Sequence, residues 1–209
     1  MKAALLLSLL LAACGGGGST YSDEPVPMNV MDPAGWEIAN SVGVPVRPLL
    51  HPDGFSIDIP YDSTGHVNYI TVPTGSLAGK TKVTLRARLE MADGVKLEPV
   101  NDPRAPSLMT LYFQRKGDDW TAGNEAYRWF ASFGTVANLK AGEYVIEARF
   151  DANWTAVLTS SRANNPAGYT AAINDAGRIG FVLGGGDGLG HGVFATGPAR
   201  LVVTSFKVD

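Results

Sequence analysis

Three runs of this chain alternate apolar and polar residues with a period of two, and that period constrains the fold more than any other feature. In residues 81–91, Val83, Leu85, Ala87, Leu89 and Met91 fall on one side and Thr84, Arg86, Arg88 and Glu90 on the other. In 108–115, Met109, Leu111 and Phe113 oppose Thr110, Tyr112 and Gln114; in 142–150, Tyr144, Ile146, Ala148 and Phe150 oppose Glu143, Val145, Glu147 and Arg149. A helix would scatter these residues around its circumference, whereas a strand sends successive side chains to opposite faces. Further strands are expected over 55–59, 67–72, 127–133, 178–183 and 201–208, with turn chemistry at Asp53-Gly54, Thr64-Gly65, Asp93-Gly94 and Gly117-Asp118 between them. Eight or nine strands, apolar inward and polar outward, predict an all-β domain: a two-sheet antiparallel β-sandwich of jelly-roll type. One short helix is expected over 166–176, with Pro166 in its first turn and Gly177 as its stop. The order of elements contains no βαβ repeat, so a parallel nucleotide-binding sheet is not expected.

Length and composition fit one such domain. The 209 residues are 45% hydrophobic and 18% charged, which sets disorder aside. A formal charge of −3 gives no general reason to seek nucleic acid, and one cysteine excludes both an internal disulfide and a thiolate metal cluster.

That cysteine stands in a telling place. Met1 and Lys2 supply positive charge, and residues 3–13 are apolar or small apart from Ser8. The run is about half the roughly 20 residues a spanning helix needs, so it reads as a secretory signal. Leu11-Ala12-Ala13-Cys14, followed by Gly15 to Gly18, resembles the bacterial lipobox. The resemblance implies cleavage before Cys14, acylation of its thiol, and a mature chain held to the cell envelope by lipid. Gly15 in place of aspartate implies the outer membrane. The expected organisation is then a signal peptide over 1–13, a lipidated cysteine and flexible linker over 14–35, and a single domain over 36–209.

Chemistry is harder to place. Residues 184–192, Gly-Gly-Gly-Asp-Gly-Leu-Gly-His-Gly, lack the Gly-Lys-Ser/Thr of a phosphate loop, the dinucleotide fingerprint and the calcium nonapeptide repeat. They read either as a structural turn or as a ligand loop with Asp187 and His191 as its polar points. The polar positions Arg86, Arg88, Glu90, Tyr112, Gln114 and Arg128 line one surface if their strands are neighbours; that surface is either a solvated, ion-paired face or a sugar site. Beside it, Asp118 and Trp120 mark a charged hairpin tip whose indole is expected to be exposed, while Trp129 and Trp154 are expected in the core.

Only His51, His66 and His191 are present, and neither a Gly-x-Ser-x-Gly elbow nor a His-Glu-x-x-His helix occurs. Glu90, Asp118, Asp119 and Glu147 are the carboxylates from which a hydrolase pair would have to come. Arg86-Ala87-Arg88-Leu89-Glu90 resembles the arginine and glutamate strand of jelly-roll alginate lyases, but the Gln-Ile/Val-His strand and the Tyr-rich closing strand are missing. From residue 36 onward, strand rhythm, the late Gly-rich loop and the closing strand resemble galactose-binding-type jelly rolls of bacterial carbohydrate-binding modules. This resemblance implies a glycan ligand, no cofactor, and at most a structural calcium ion for which Glu37 and Asp209 are the candidates. The expectation is a non-catalytic, lipid-anchored glycan-binding protein. The alternatives are a structural lipoprotein that contacts another envelope protein and a polysaccharide lyase.

Overall fold

A computed structural model of the chain describes residues 31–131, 137–158, 160–185, 189 and 191–209. The signal, Cys14 and Asp187 lie outside these. In chain order the strands are β1 (Glu37–Ala39), β2 (Leu49–His51), β3 (Gly54–Ile59), β4 (Tyr69–Pro73), β5 (Lys82–Met91), β6 (Leu97–Pro99) and β7 (Ser107–Arg115). They continue as β8 (Arg128–Phe130), β9 (Ala137–Asn138), β10 (Gly142–Arg149), β11 (Thr155–Ala156), β12 (Ala176–Gly185), β13 (Val193–Ala195) and β14 (Ala199–Val208). One helix, α1 (Pro166–Asn174), precedes β12.

Two large antiparallel sheets form an all-β sandwich. One has the order β1-β4-β12-β7-β8-β11, with β9 also on β7; the other has the order β10-β5-β14-β3-β2, and β13 pairs with β6 apart from both. The alternation sets the packing. Val83, Leu85, Ala87 and Leu89 of β5 and Met109, Leu111 and Phe113 of β7 belong to a single buried cluster between the sheets. Aromatic rings fill it. Trp36 lies 4.9 Å from Phe55 and 5.1 Å from Phe206, and Phe113 lies 5.1 Å from Trp154, centroid to centroid. Trp129 and Trp154 are fully buried, as their apolar sequence neighbours predict.

The helix begins where expected, with Pro166 in its first turn and the Asn165 side chain accepting a hydrogen bond from the Gly168 amide at 3.0 Å. It ends two residues early. Asp175 caps it, and Ala176 already opens β12, so Gly177 is a strand residue rather than a helix stop. Asn165→Ala removes the cap and is expected to cost about 1 kcal/mol, read as a lower urea midpoint with an unchanged slope.

Three other expectations are corrected. Residues 31–35, assigned to the leash, contain a 3-10 turn (Pro33–Gly35) capped by the Asp32 side chain, and Met31 packs against the core. Tyr127 closes a second 3-10 turn (Ala122–Tyr127) instead of opening β8. The segment after the Gly-rich stretch holds the short strand β13, paired with β6.

Candidate functional site

The two long alternating strands, β5 and β7, lie in different sheets and turn their apolar residues toward each other. Their polar residues therefore point away from each other, to opposite sides of the molecule. The single polar surface expected from the sequence is two surfaces: Arg86, Arg88 and Glu90 lie outside the five-stranded sheet, and Tyr112, Gln114 and Arg128 outside the seven-stranded one.

The five-stranded face is a solvated ladder of ion pairs. Arg88 reaches Glu90 at 2.9 Å, Asp53 at 3.1 Å and Glu143 at 3.7 Å. Lys82 meets Glu147 at 2.8 Å and Arg200 meets Asp58 at 2.6 Å. Hydrogen bonding to Lys82 lowers the Glu147 pKa and raises that of Lys82 in return. Arg86 is exposed and has no ion pair among the described residues. Exposed pairs of this kind add little to stability. Arg88 is shared by Glu90, Asp53 and Glu143, so one guanidinium stands among three carboxylates.

The seven-stranded face is different. Ala39, Tyr69, Tyr112, Phe130 and Val182 form a second buried cluster on the outside of the sheet, with Trp120, Val157 and Leu189 packed over it. Sheet register explains how it assembles. Thr71, Gly180 and Tyr112 stand side by side on β4, β12 and β7, as do Tyr69, Val182 and Thr110 one pair along. Gly180 lets the β4 backbone approach closely at this point, since a methyl group there would overlap the Ile70 carbonyl oxygen.

Over this floor lies a buried ion pair. Arg128 Nε donates to Asp118 Oδ2 at 2.8 Å and Nη2 to Oδ1 at 3.1 Å, with the side chains 6% and 0% exposed. Gln114 Nε2 donates to the same carboxylate at 3.1 Å, and so does the Trp120 amide at 3.2 Å. Four donors thus satisfy a charge that water does not reach, which is the condition under which a buried pair is tolerated. The guanidinium also lies over the Trp120 ring at 4.9 Å and the Tyr69 ring at 5.5 Å.

Trp120 is half-buried, not exposed as expected from its polar neighbours. Its φ is +66°, a left-handed conformation that a bulky side chain adopts at a cost of about 1–3 kcal/mol. The Asp118 side chain holds the turn by accepting the Trp120 amide, and the indole packs 4.7 Å from the Tyr69 ring, tilted 60° to it. The tip is thereby folded down onto the sheet.

Beneath it, three successive outward positions of β7 carry buried polar atoms that lack a well-formed hydrogen bond: Thr110 Oγ1, Tyr112 Oη and Gln114 Oε1. The Thr71 hydroxyl is the polar neighbour of the Tyr112 phenol. Burial raises the pKa of both Tyr69 and Tyr112, with Arg128 opposing in each case, so both remain neutral donors. Buried polar groups are paired in the great majority of cases, so this row, in which Tyr112 has the Thr71 hydroxyl beside it, is the candidate site.

The remaining candidates are scattered; Glu37, paired with Thr71 across β1 and β4, shares this face. His191 is exposed, while Leu189, from the same Gly-rich stretch, packs on the aromatic cluster. Glu37 is engaged by Arg178 at 2.7 Å on the seven-stranded sheet, and Asp209 ends the five-stranded sheet's β14, its carbonyl accepting the Lys82 amide. The two calcium candidates therefore sit in different sheets. Among the described residues no group of three acidic or sulfur and imidazole side chains is placed to hold a metal ion. Glu90 and Glu147 belong to one face, each held by a cation, and Asp118 and its neighbour Asp119 to the tip over the other. His66 lies 3.3 Å from the Asn40 carbonyl, and His51 accepts the Asp53 amide, both away from the cluster. No helix among the described residues is long and apolar enough to cross a membrane.

Sequence reasoning selected Tyr112, Gln114, Asp118, Trp120 and Arg128 and missed Tyr69, Thr71, Thr110, Phe130 and Leu189. Thr110 shares the parity of Tyr112 and Gln114, a signal already present in the pattern. No family model matches the chain, and no curated protein matches it in sequence.

Proposed function

We propose that this protein is a lipid-anchored cell-envelope protein that binds glycan without catalysis, through the outer face of the seven-stranded sheet. The row of Thr110, Tyr112 and Gln114 carries the reading. Two hydroxyls and an amide oxygen, spaced along one strand and lacking well-formed hydrogen bonds, suit the hydroxyls of a sugar, and the Trp120 and Tyr69 rings suit the apolar side of a pyranose. The charges cancel: Asp118 neutralises Arg128, and Glu37 neutralises Arg178. A neutral sugar fits such a surface better than a uronate. Because Trp120 lies over the row, the ligand enters between its indole and Tyr69 as the tip lifts, and keeps contact with both rings. The galactose-binding-type resemblance and the two antiparallel sheets support the same reading, and the lipobox-like residues at Cys14 support the anchor.

Trp36, Trp129 and Trp154 are buried, so a ligand-induced change in tryptophan emission reports on Trp120. Neutral envelope or plant glycans are expected to shift that emission and to retain the protein on an array. Trp120→Ala is expected to weaken retention by at least about tenfold, equivalent to about 1.4 kcal/mol. Arg88→Ala, on the opposite face, is expected to leave it unchanged. Retention by no neutral glycan, or retention lost with Arg88 and kept without Trp120, ends the proposal. For the anchor, Cys14→Ser is expected to release the protein from membranes during fractionation.

A further inference from the structure

Four of the eight large hydrophobic side chains exposed among the described residues fall between 42 and 50: Val42 at 50%, Val46 at 66%, Leu49 at 44% and Leu50 at 81%. The stretch links β1, at the edge of one sheet, to β2, at the edge of the other, so it runs along one side of the sandwich. From residue 38 to residue 52 there is no carboxylate, and Arg47 is the only formally charged residue. Exposed large apolar side chains concentrated in one short stretch mark a surface that meets a partner or a membrane.

The chain reaches the domain at this same edge. Arg47 Nη1 donates to the Ala34 carbonyl at 2.6 Å, the Ile38 amide donates to the Val46 carbonyl at 2.7 Å, and Gly54, beside β2, lies against the Met31 methyl. Residues 15–30, sixteen in all and opening with Gly-Gly-Gly-Gly-Ser, separate Cys14 from that point. A flexible linker of that length spans roughly 22 Å on average, so tethering at Cys14 would keep this edge near the surface. At the millimolar effective concentrations that short tethers create, even weak interfacial affinity is enough to hold the edge down.

We propose that this edge rests on the membrane, with Val46, Leu49 and Leu50 in the interfacial zone of a bilayer and Arg47 among anionic headgroups. The inference uses the anchoring part of the proposed function but not the glycan part. It orients the molecule: the 42–50 strip faces lipid, and the tip carrying Trp120, on a sheet face rather than on this edge, stays open to ligand.

The test separates the edge from natural acylation. The full chain is coupled through Cys14, its one cysteine, to a maleimide-bearing lipid in phosphatidylcholine and phosphatidylglycerol vesicles, or to a soluble maleimide as control. Amide exchange across 46–51 is expected to slow about tenfold on vesicles, while β10 is unchanged. Val46→Asp combined with Leu50→Asp is expected to restore fast exchange on vesicles without altering the melting temperature by more than a few degrees. Equal exchange on vesicles and in solution overturns the proposal. So does protection that appears in the soluble control with rising protein concentration, since the strip would then cover a second copy of the chain. Failure of the anchor itself would show separately, as an unmodified Cys14 in protein recovered from cells.

Discussion

Asp118→Ala is expected to destabilise the domain by about 3–5 kcal/mol, the cost of leaving a buried charge without its partner. The carboxylate is fully buried and accepts from Arg128 twice, from Gln114 and from the Trp120 amide. Its loss strands a guanidinium that is 6% exposed and releases the turn that holds Trp120 in its left-handed conformation. For a domain of this size the loss corresponds to a fall of roughly 10 °C in Tm. Urea unfolding measures it, and the pair can be examined further by adding Arg128→Met, which removes the stranded charge and is expected to recover part of the loss. A cost below about 1 kcal/mol would mean that water reaches Arg128 and that the pair is not sealed beneath the tip.

Gly180→Val is expected to cost more than about 3 kcal/mol, although valine is a better strand former than glycine. Gly180 lies in β12, between Thr71 of β4 and Tyr112 of β7. A side chain there meets the Ile70 carbonyl oxygen and the Thr71 backbone, so β4 and β12 must separate and the ladder between them must open. The same change pushes Tyr112 and Thr71 out of the floor of the site. Loss of near-ultraviolet dichroism together with a lower urea midpoint would bear this out. A variant as stable as the parent, or more so, would show that the strands lie farther apart at this point than described.

The strands were legible because a half-buried sheet writes a period of two into the chain. Residues 81–91 and 142–150 correspond to β5 and β10 within a residue, and 108–115 to β7. Short strands were not legible. β1, β2, β6 and β13 have three residues each, too few for a period to show, and all but β2 pair with strands distant in sequence. The site was half legible for a related reason. Alternation says which residues leave the core together on one strand, but not which sheet a strand joins. Arg88 and Gln114 looked equivalent until β5 and β7 were assigned to different layers. Trp120 was misjudged because its neighbours in sequence are polar, whereas its neighbours in space are Tyr69 and Arg128, brought over it by a turn that no residue pattern announces.

The position of β14 also governs how the chain reaches this state. Residues 199–208 form the last strand of the chain, yet they lie inside the five-stranded sheet, between β5 and β3. Until they arrive, β3 and β5 face each other across a gap, each with an open row of amides and carbonyls, and Phe206 is missing from beside Trp36. A growing chain therefore cannot close the five-stranded sheet until residues 199–208 have been made. Such a polypeptide stays threadable up to that point and acquires its shape in a single step once this one segment slots into the gap.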